Sequence, residues 1–201
     1  MRESKGDDRP LYRQTKKQRD RLNNVPIAVA GVLWFVPTAS FWIRFVPGLR
    51  PFYFDTPAPS GLTLAVCALV CALPYALPRS YFSPRKFERG RFYPALGVRL
   101  FRLLAPDGDL INRKLRALDP RYRVVEDRLA LRAHIQGTYS NERAHLSLFL
   151  FGSLTADFAA ATGDGLLALV MTMGNIIFNV YPAMHQRYKR ARLQRTPAIP
   201  Q

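Results

Sequence analysis

The sequence predicts an all-α integral membrane protein, with four transmembrane helices and a long cytoplasmic loop that contains interfacial helices. Three observations lead there. Four apolar runs of roughly 17–22 residues occur, and at about 1.5 Å per residue such runs cover most of a hydrocarbon core about 30 Å thick. Strongly basic blocks separate them: 30 Lys and Arg against 14 Asp and Glu give a formal net charge of +16. The mean hydropathy of −0.10 is therefore an average over very apolar and very basic stretches, unlike the even mixture of a soluble globular chain. Finally, the basic blocks fall on every second connection, which a membrane topology requires and a soluble fold does not.

Residues 1–24 form a basic N-terminal segment with eight Lys/Arg, polar throughout and too long for the charged start of a cleavable signal peptide. The first span is expected from about Val25 to Val46. Pro26 lies near its start and Pro37 inside it, while Phe41, Trp42 and Phe45 crowd its exit, where rings suit a membrane–water boundary. The second span, Gly61 to Leu77, is interrupted late by Pro74 and completes a helix pair over 25–78. Residues 79–143 are a basic loop with fifteen Lys/Arg. The third and fourth spans, Ala144 to Ala161 and Gly165 to Met184, form a second pair over 144–184, and residues 185–201 are a tail with five Lys/Arg. On the other side, Arg50 lies between the first two spans, and Thr162-Gly163-Asp164-Gly165 carries no positive charge. The positive-inside rule then places both termini and the long loop in the cytoplasm. The shortness of the last connection makes spans three and four a tight antiparallel hairpin. Counting outward from its centre brings Glu142, His145 and Asn179 to the cytoplasmic interface, with Asn175 about one turn deeper.

A charge of +16 also suits a nucleic-acid binder, but here the cations flank apolar runs instead of decorating a soluble fold, which argues against nucleic acid as a partner. Cys67 and Cys71 both sit in an apolar run; their helical spacing disfavours a disulfide, and no zinc pattern occurs. Neither a metal nor a cofactor is implied.

Within the loop, the stretch from Pro94 to Leu104 puts Leu96, Leu100, Leu103 and Leu104 on one helical face and Arg99 and Arg102 elsewhere, as in a helix lying at the interface. Before it, Tyr81, Phe82, Phe87, Phe92 and Tyr93 interleave with Arg79, Arg85, Lys86, Arg89 and Arg91. Such interleaving serves single-stranded nucleic acid in soluble proteins, but beside a span it is more simply an interfacial anchor. Pro106 to Asp109 predicts a turn, followed by a basic helix from Leu110 to Leu118, a break over Asp119 to Arg123, and a short helix from Glu126 to His134.

Chemistry concentrates at the cytoplasmic end of the second pair. Glu142 and His145, three residues apart, share a helical face. A carboxylate beside an imidazole can fix its tautomer and raise its basicity, as a general base for an alcohol requires; an interfacial pair that orients the helix is the plainer alternative. Di-iron bundles repeat the Glu-x-x-His spacing and add carboxylates, whereas one copy occurs here. A strict His-x4-Asp acyltransferase box is absent, and Asp157 lies too deep to pair with His145. Asn175 and Asn179, amides in an apolar helix, either pack helices together or bind a ligand. Arg187, Arg190 and Arg192 meet either lipid head groups or a phosphate-bearing donor. His134 and His185 have no obvious partner.

These residues resemble the family of glycosyl-4,4'-diaponeurosporenoate acyltransferase-like membrane proteins. The resemblance rests on Tyr81-Phe82; on Phe87, Glu88, Arg89, Gly90, Arg91 and Tyr93; on Leu96-Gly97-Val98-Arg99; on Pro106, Gly108 and Asp109 with Asn112; on Glu142, Arg143 and His145; and on Asn175 through Arg192. It covers most of residues 79–195, and Leu146 departs from it where an aromatic is expected. The resemblance implies a bacterial inner-membrane protein that transfers a fatty acyl group from an acyl thioester donor onto a sugar hydroxyl of a glycosylated carotenoid or glycolipid. His145 is then the base and Glu142 its orienting partner. Asn179 or Asn112 holds the developing oxyanion, Asn175 joins the substrate-binding set, and Arg187 or Arg99 meets donor phosphates. The competing expectation is a non-catalytic subunit of a larger membrane complex that binds lipid or pigment.

Overall fold

The computed structural model describes residues 10–46, 48–49, 58–125 and 127–195; Arg50, Glu126 and the outer ends of both tails lie outside them. The described residues are helical or in turns, with no strand among them. Among the described residues, three stretches are long and apolar enough to cross a membrane: Gln14–Phe45, Arg128–Ala161 and Gly165–Leu193. The chain is thus an all-helical membrane protein.

Helix α1 (Pro10–Trp42) continues into a 3-10 turn, Ile43–Phe45. It begins well before the expected span and runs unbroken through Pro26 and Pro37, each of which removes one backbone hydrogen bond. Its polar first half is anchored from outside: Arg19 donates from Nε (2.7 Å) and Nη2 (2.8 Å) to the two carboxylate oxygens of Asp107. Helix α2 (Gly61–Ala76) starts where the Ser60 side chain accepts the Thr63 N–H at 3.1 Å. At 16 residues it spans about 24 Å, short of a full hydrocarbon core. Of the four expected spans it is the shorter apolar helix. It packs against the long helix Arg128–Ala161, and its two cysteines are free thiols.

The centre of the fold is the hairpin of α6 (Arg128–Ala161) with α7 (Gly165–Asn175), a π-helical turn (Ile176–Val180) and α8 (Tyr181–Leu193). The expected short helix ending at His134 and the third span are one continuous helix, capped where Asp127 accepts the Ala130 N–H at 2.7 Å. The tip is closed by Gly163, whose φ of +89° is costly for any residue with a Cβ. Asp164 beside it pairs with Arg44. Phe41, Ala156, Ala159, Ala168 and Met171 form the buried core near this tip. Phe41, Trp42 and Phe45 do not form a lipid-facing belt: Phe41 is fully buried against Phe158, and Trp42 Nε1 donates to Thr155 Oγ1 at 3.1 Å. Interlocking rings at this end contribute packing beyond the area they bury.

The expected interfacial helix over 94–104 is two pieces, α3 (Phe92–Ala95) and α4 (Val98–Leu104). The break is Gly97, at φ +78°. Leu96, Leu100 and Leu104 point outward with Arg99, whereas Val98 is buried and Phe101 stacks on Tyr181 of α8. Helix α5 (Asp109–Leu118) matches its expected range to one residue and packs on α1. Gly108 ahead of it admits no side chain, because a Cβ there would lie 2.2 Å from the Arg102 carbonyl oxygen.

Candidate functional site

Both arms of the hairpin are longer than a bilayer core. The 34 residues of α6 extend about 51 Å, and the 29 residues from Gly165 to Leu193 about 44 Å. Measured from the tip, a core about 30 Å thick ends near positions 142 and 184. Two polar clusters gather at and beyond that edge, and a third lies just inside it.

The first is charged. Glu142, 2% exposed, accepts from Arg187 Nε at 2.8 Å and Nη2 at 2.6 Å on Oε1, and from Arg190 on Oε2. Arg190, fully buried, also donates to the Phe82 carbonyl and to Thr138 Oγ1 (3.1 Å), and its guanidinium lies 4.0 Å from the Tyr139 ring centroid. Arg187 reaches a second acid, Glu88 Oε1, at 3.1 Å. Two guanidiniums and two carboxylates thus neutralise one another across α6, α8 and the turn at Phe87–Arg89. Burial pushes Glu88 toward the neutral acid. The Arg85 backbone N–H (2.7 Å), the Tyr93 hydroxyl (2.9 Å) and Arg187 outweigh it and hold the carboxyl below its ordinary value. The Tyr93 phenol, buried and donating to that carboxylate, is pushed well up. Arg143 donates to the Leu77 carbonyl at 3.0 Å and lies over Phe82, fastening the end of α2 to the same region.

The second cluster is neutral and lies one to two turns further in. Asn179 donates to Asn175 Oδ1 at 2.8 Å; Asn175 donates to the Phe149 carbonyl (2.8 Å) and to Ser153 Oγ (3.1 Å). Trp34 Nε1 approaches Asn175 Oδ1 at 3.4 Å, and His145 Nδ1 lies 3.4 Å from Asn179 Oδ1. The Asn179 amide also fits turned over, its oxygen 2.9 Å from Trp34 Nε1, so either orientation keeps it in the network. Gly152 makes room: a Cβ there would lie 2.8 Å from the Asn175 amide carbon. The π turn adds one residue between α7 and α8 and shifts the phase of all that follows.

The third cluster surrounds Asp107, a non-glycine residue at φ +54°. Its carboxylate holds Arg19 and Asn23 Nδ2 (2.8 Å), its N–H donates to Asn23 Oδ1 (2.7 Å), and its carbonyl accepts from Asn112 Nδ2 (2.7 Å). Burial raises the Asp107 pKa, but the Arg19 and Asn23 bonds prevail and bring it down to about 2.

The expected site residues therefore divide. His145, Asn175 and Asn179 come together, and so do Glu142 and Arg187. Glu142 does not reach His145: among the described residues no hydrogen bond or ion pair joins them, because two guanidiniums claim the carboxylate and Asn179 stands beside the imidazole. Asn112 belongs to the Asp107 cluster, and Arg99 is exposed on α4. Reasoning from spacing missed Trp34, Glu88, Tyr93, Asp107, Gly152 and the weight of Arg190. An acid alone among the cations of residues 79–91 (Glu88) and a tryptophan deep in an apolar run (Trp34) were the available signals. Among the described residues no group of three or more His, Cys, Asp or Glu is placed to hold a metal ion.

A half-buried imidazole beside an amide, with charge excluded, can take a proton from a hydroxyl without first leaving an ion pair. The family model for glycosyl-4,4'-diaponeurosporenoate acyltransferase matches residues 78–198, which include all three clusters apart from the α1 contributions. Comparison with curated proteins and with solved structures gives no match.

Proposed function

The chain belongs to the glycosyl-4,4'-diaponeurosporenoate acyltransferase family, and on that premise we propose that it transfers a fatty acyl group onto a sugar hydroxyl of a glycosylated carotenoid or glycolipid at the inner face of a bacterial membrane. The observation that carries this reading is His145, whose Nδ1 lies 3.4 Å from Asn179 Oδ1 between the arms of the helical hairpin; by residue count from the tip it falls near the end of a hydrocarbon core about 30 Å thick, a depth that suits a lipid-anchored sugar. His145 is the proposed base. With Nδ1 facing Asn179, the other ring nitrogen takes the proton as the sugar oxygen attacks the acyl carbon of a thioester. The C–O bond forms, the C–S bond breaks, and the same proton passes to the departing sulfur. Asn179 is a positioning residue for the imidazole, and the Asn175 amide holds Asn179 in turn. Glu142 acts on this site from a distance, by fixing α8 against α6 through Arg187 and Arg190.

The charge pattern supports both termini and the 79–143 loop on the cytoplasmic side, with α2 as a short fourth span. Leu96, Leu100 and Leu104 would then enter the leaflet while Arg99 meets head groups. The decisive experiment is a mass-spectrometric profile of pigments and glycolipids from host cells carrying the gene, lacking it, or carrying His145→Ala. Loss of an acylated species in the last two, with accumulation of its free glycoside, is the expected result. An unchanged profile on deletion would remove the transferase reading and favour a non-catalytic subunit.

A further inference from the structure

Helix α1 is fastened to the rest of the fold at both ends. Arg19 and Asn23 hold Asp107 at one end, and Phe41 and Trp42 lock against Phe158 and Thr155 at the other. Between these ends Trp34 reaches the neutral cluster, its ring tilted against Phe151 at 6.3 Å between centroids. Its backbone is held there too. Pro37 has no N–H for the Leu33 carbonyl, and that oxygen faces Gly174, next to Asn175, where an added Cβ would lie 4.0 Å from it. The Trp34 carbonyl accepts from Thr38 Oγ1 at 2.8 Å. Trp34 stands outside the matched residues 78–198, so the family segment does not supply it.

The indole N–H is a donor with no acceptor capacity, and it meets two amides. Asn175 can point only one way, because its NH2 is taken by the Phe149 carbonyl and Ser153 Oγ. Asn179 has two settings. In the first, its NH2 donates to Asn175 Oδ1 at 2.8 Å and its oxygen lies 3.4 Å from His145 Nδ1. The imidazole then carries its proton on Nδ1 and leaves the Nε2 lone pair free. In the second, the Asn179 oxygen accepts from Trp34 Nε1 at 2.9 Å, and its NH2 takes the oxygen's former place, donating to the Phe178 carbonyl at 3.1 Å. A donor now faces Nδ1, which moves the ring proton to Nε2. Each setting leaves one mismatch: the indole N–H against the Asn179 NH2 in the first, two amide oxygens 2.8 Å apart in the second. With one mismatch on each side, the Trp34 hydrogen bond tips the choice.

We propose that Trp34 is a positioning residue for His145: its indole N–H draws the Asn179 amide into the second setting and so decides which imidazole nitrogen carries the proton. Only the first setting offers Nε2 as a base, so Trp34 restrains the site. That consequence rests on the transfer reading above, whereas the choice of tautomer rests on the hydrogen bonds alone.

The test reads the tautomer and needs no turnover. The full chain, carrying isotope-labelled histidine, is placed in a neutral detergent at pH about 8, above the ordinary imidazole range, and the ring-nitrogen NMR shifts are recorded. Of the three histidines, His145 is identified by the signal missing from His145→Ala. Trp34→Phe keeps a ring against Phe151 and loses the N–H. It is expected to raise the ratio of Nδ1–H to Nε2–H imidazole by about threefold to tenfold, the worth of one neutral hydrogen bond. Trp42→Phe is the matched control: it too loses an indole hydrogen bond, to Thr155, and a ring contact with Phe151. There the ratio should keep its wild-type value. Asn175→Ala removes the acceptor that holds the first setting, so the ratio should fall by a similar factor, which decides the matter should Trp34→Phe not fold. A wild-type ring wholly in the Nδ1–H form, no rise with Trp34→Phe, or an equal rise with Trp42→Phe overturns the assignment. A tautomer shift in a chain that transfers no acyl group would sink the transferase reading and leave the role of Trp34 standing; transfer without the shift would do the reverse.

Discussion

The Glu142 cluster and the Asn175–Asn179–His145 cluster sit about two turns apart on the same pair of helices and are built on opposite principles. In the first, four charged side chains close on one another, and each carboxylate oxygen of Glu142 is held by a guanidinium. In the second no group is formally charged, the amides complete each other, and the imidazole stands at the end of the chain of bonds. A closed ionic network is costly to open and suits a fastening. A neutral network that ends in an imidazole leaves one group able to exchange a proton. Burial plus charge does not by itself mark the chemistry, and the proposed transfer is assigned to the less polar of the two clusters.

That contrast is breakable. The largest effect is expected at His145: replacement by Ala should lower acyl transfer by about 10²- to 10⁴-fold, the usual contribution of a general base, while the thermal midpoint in detergent stays near that of the wild type. A large loss of thermal stability instead would mean that His145 is a packing residue. Glu142→Ala should do the reverse. It strands the buried Arg190 guanidinium and leaves Arg187 with Glu88 alone, a defect that costs about 3–5 kcal/mol, and should be read as lost expression or a lowered midpoint. Glu142→Ala combined with Arg190→Met should recover part of that loss, since the stranded charge is then removed. Were Glu142→Gln to fold normally and lose only transfer, the assignment of roles would have to be exchanged.

Gly152→Ala comes next. The new methyl meets the Asn175 amide at 2.8 Å, and overpacking of this kind costs about 1–3 kcal/mol. Because Asn175 carries Asn179, transfer should fall along with stability, and Asn175→Ala in the Gly152→Ala background should restore the midpoint and not the activity. The smallest effect separates the Asp107 cluster from both. Its carboxylate, depressed from an ordinary 3.8 to about 2, contributes stability that is present above pH about 4 and is lost as the pH falls through about 2. Asp107→Asn should remove that acid-side step from a pH series of thermal midpoints, whereas His145→Ala should leave it in place.

Much of this was readable in advance. Long apolar runs with basic flanks are a local property of the chain, and the bilayer imposes its length scale on each run separately. Hence the α6–α7 hairpin, α5 and the approach of Asn175, Asn179 and His145 to one another across the hairpin follow from counting. Phe41, Trp42 and Phe45 show the limit of that reading. Their composition suits a lipid boundary equally well, and only the presence of Phe158 and Thr155 opposite turns them inward. Likewise, the Glu142-x-x-His145 spacing places both residues on one face, but spacing gives proximity and not partnership.

By itself the sequence determined the membrane class, the hairpin, the family and the end of the molecule at which polar groups collect. Each of these depends on hydropathy and charge along one chain segment or on a recurring order of residues. The tertiary structure decided which polar groups meet. The π turn at Ile176–Val180 resets the phase of α8 by one residue, and it is that face of α8 that brings Arg187 and Arg190 to Glu142, while Asn179, within the turn itself, stands beside His145. A register between helices is a property of their packing, fixed by Gly152 and Asn175 at close approach, and no periodicity within either helix contains it.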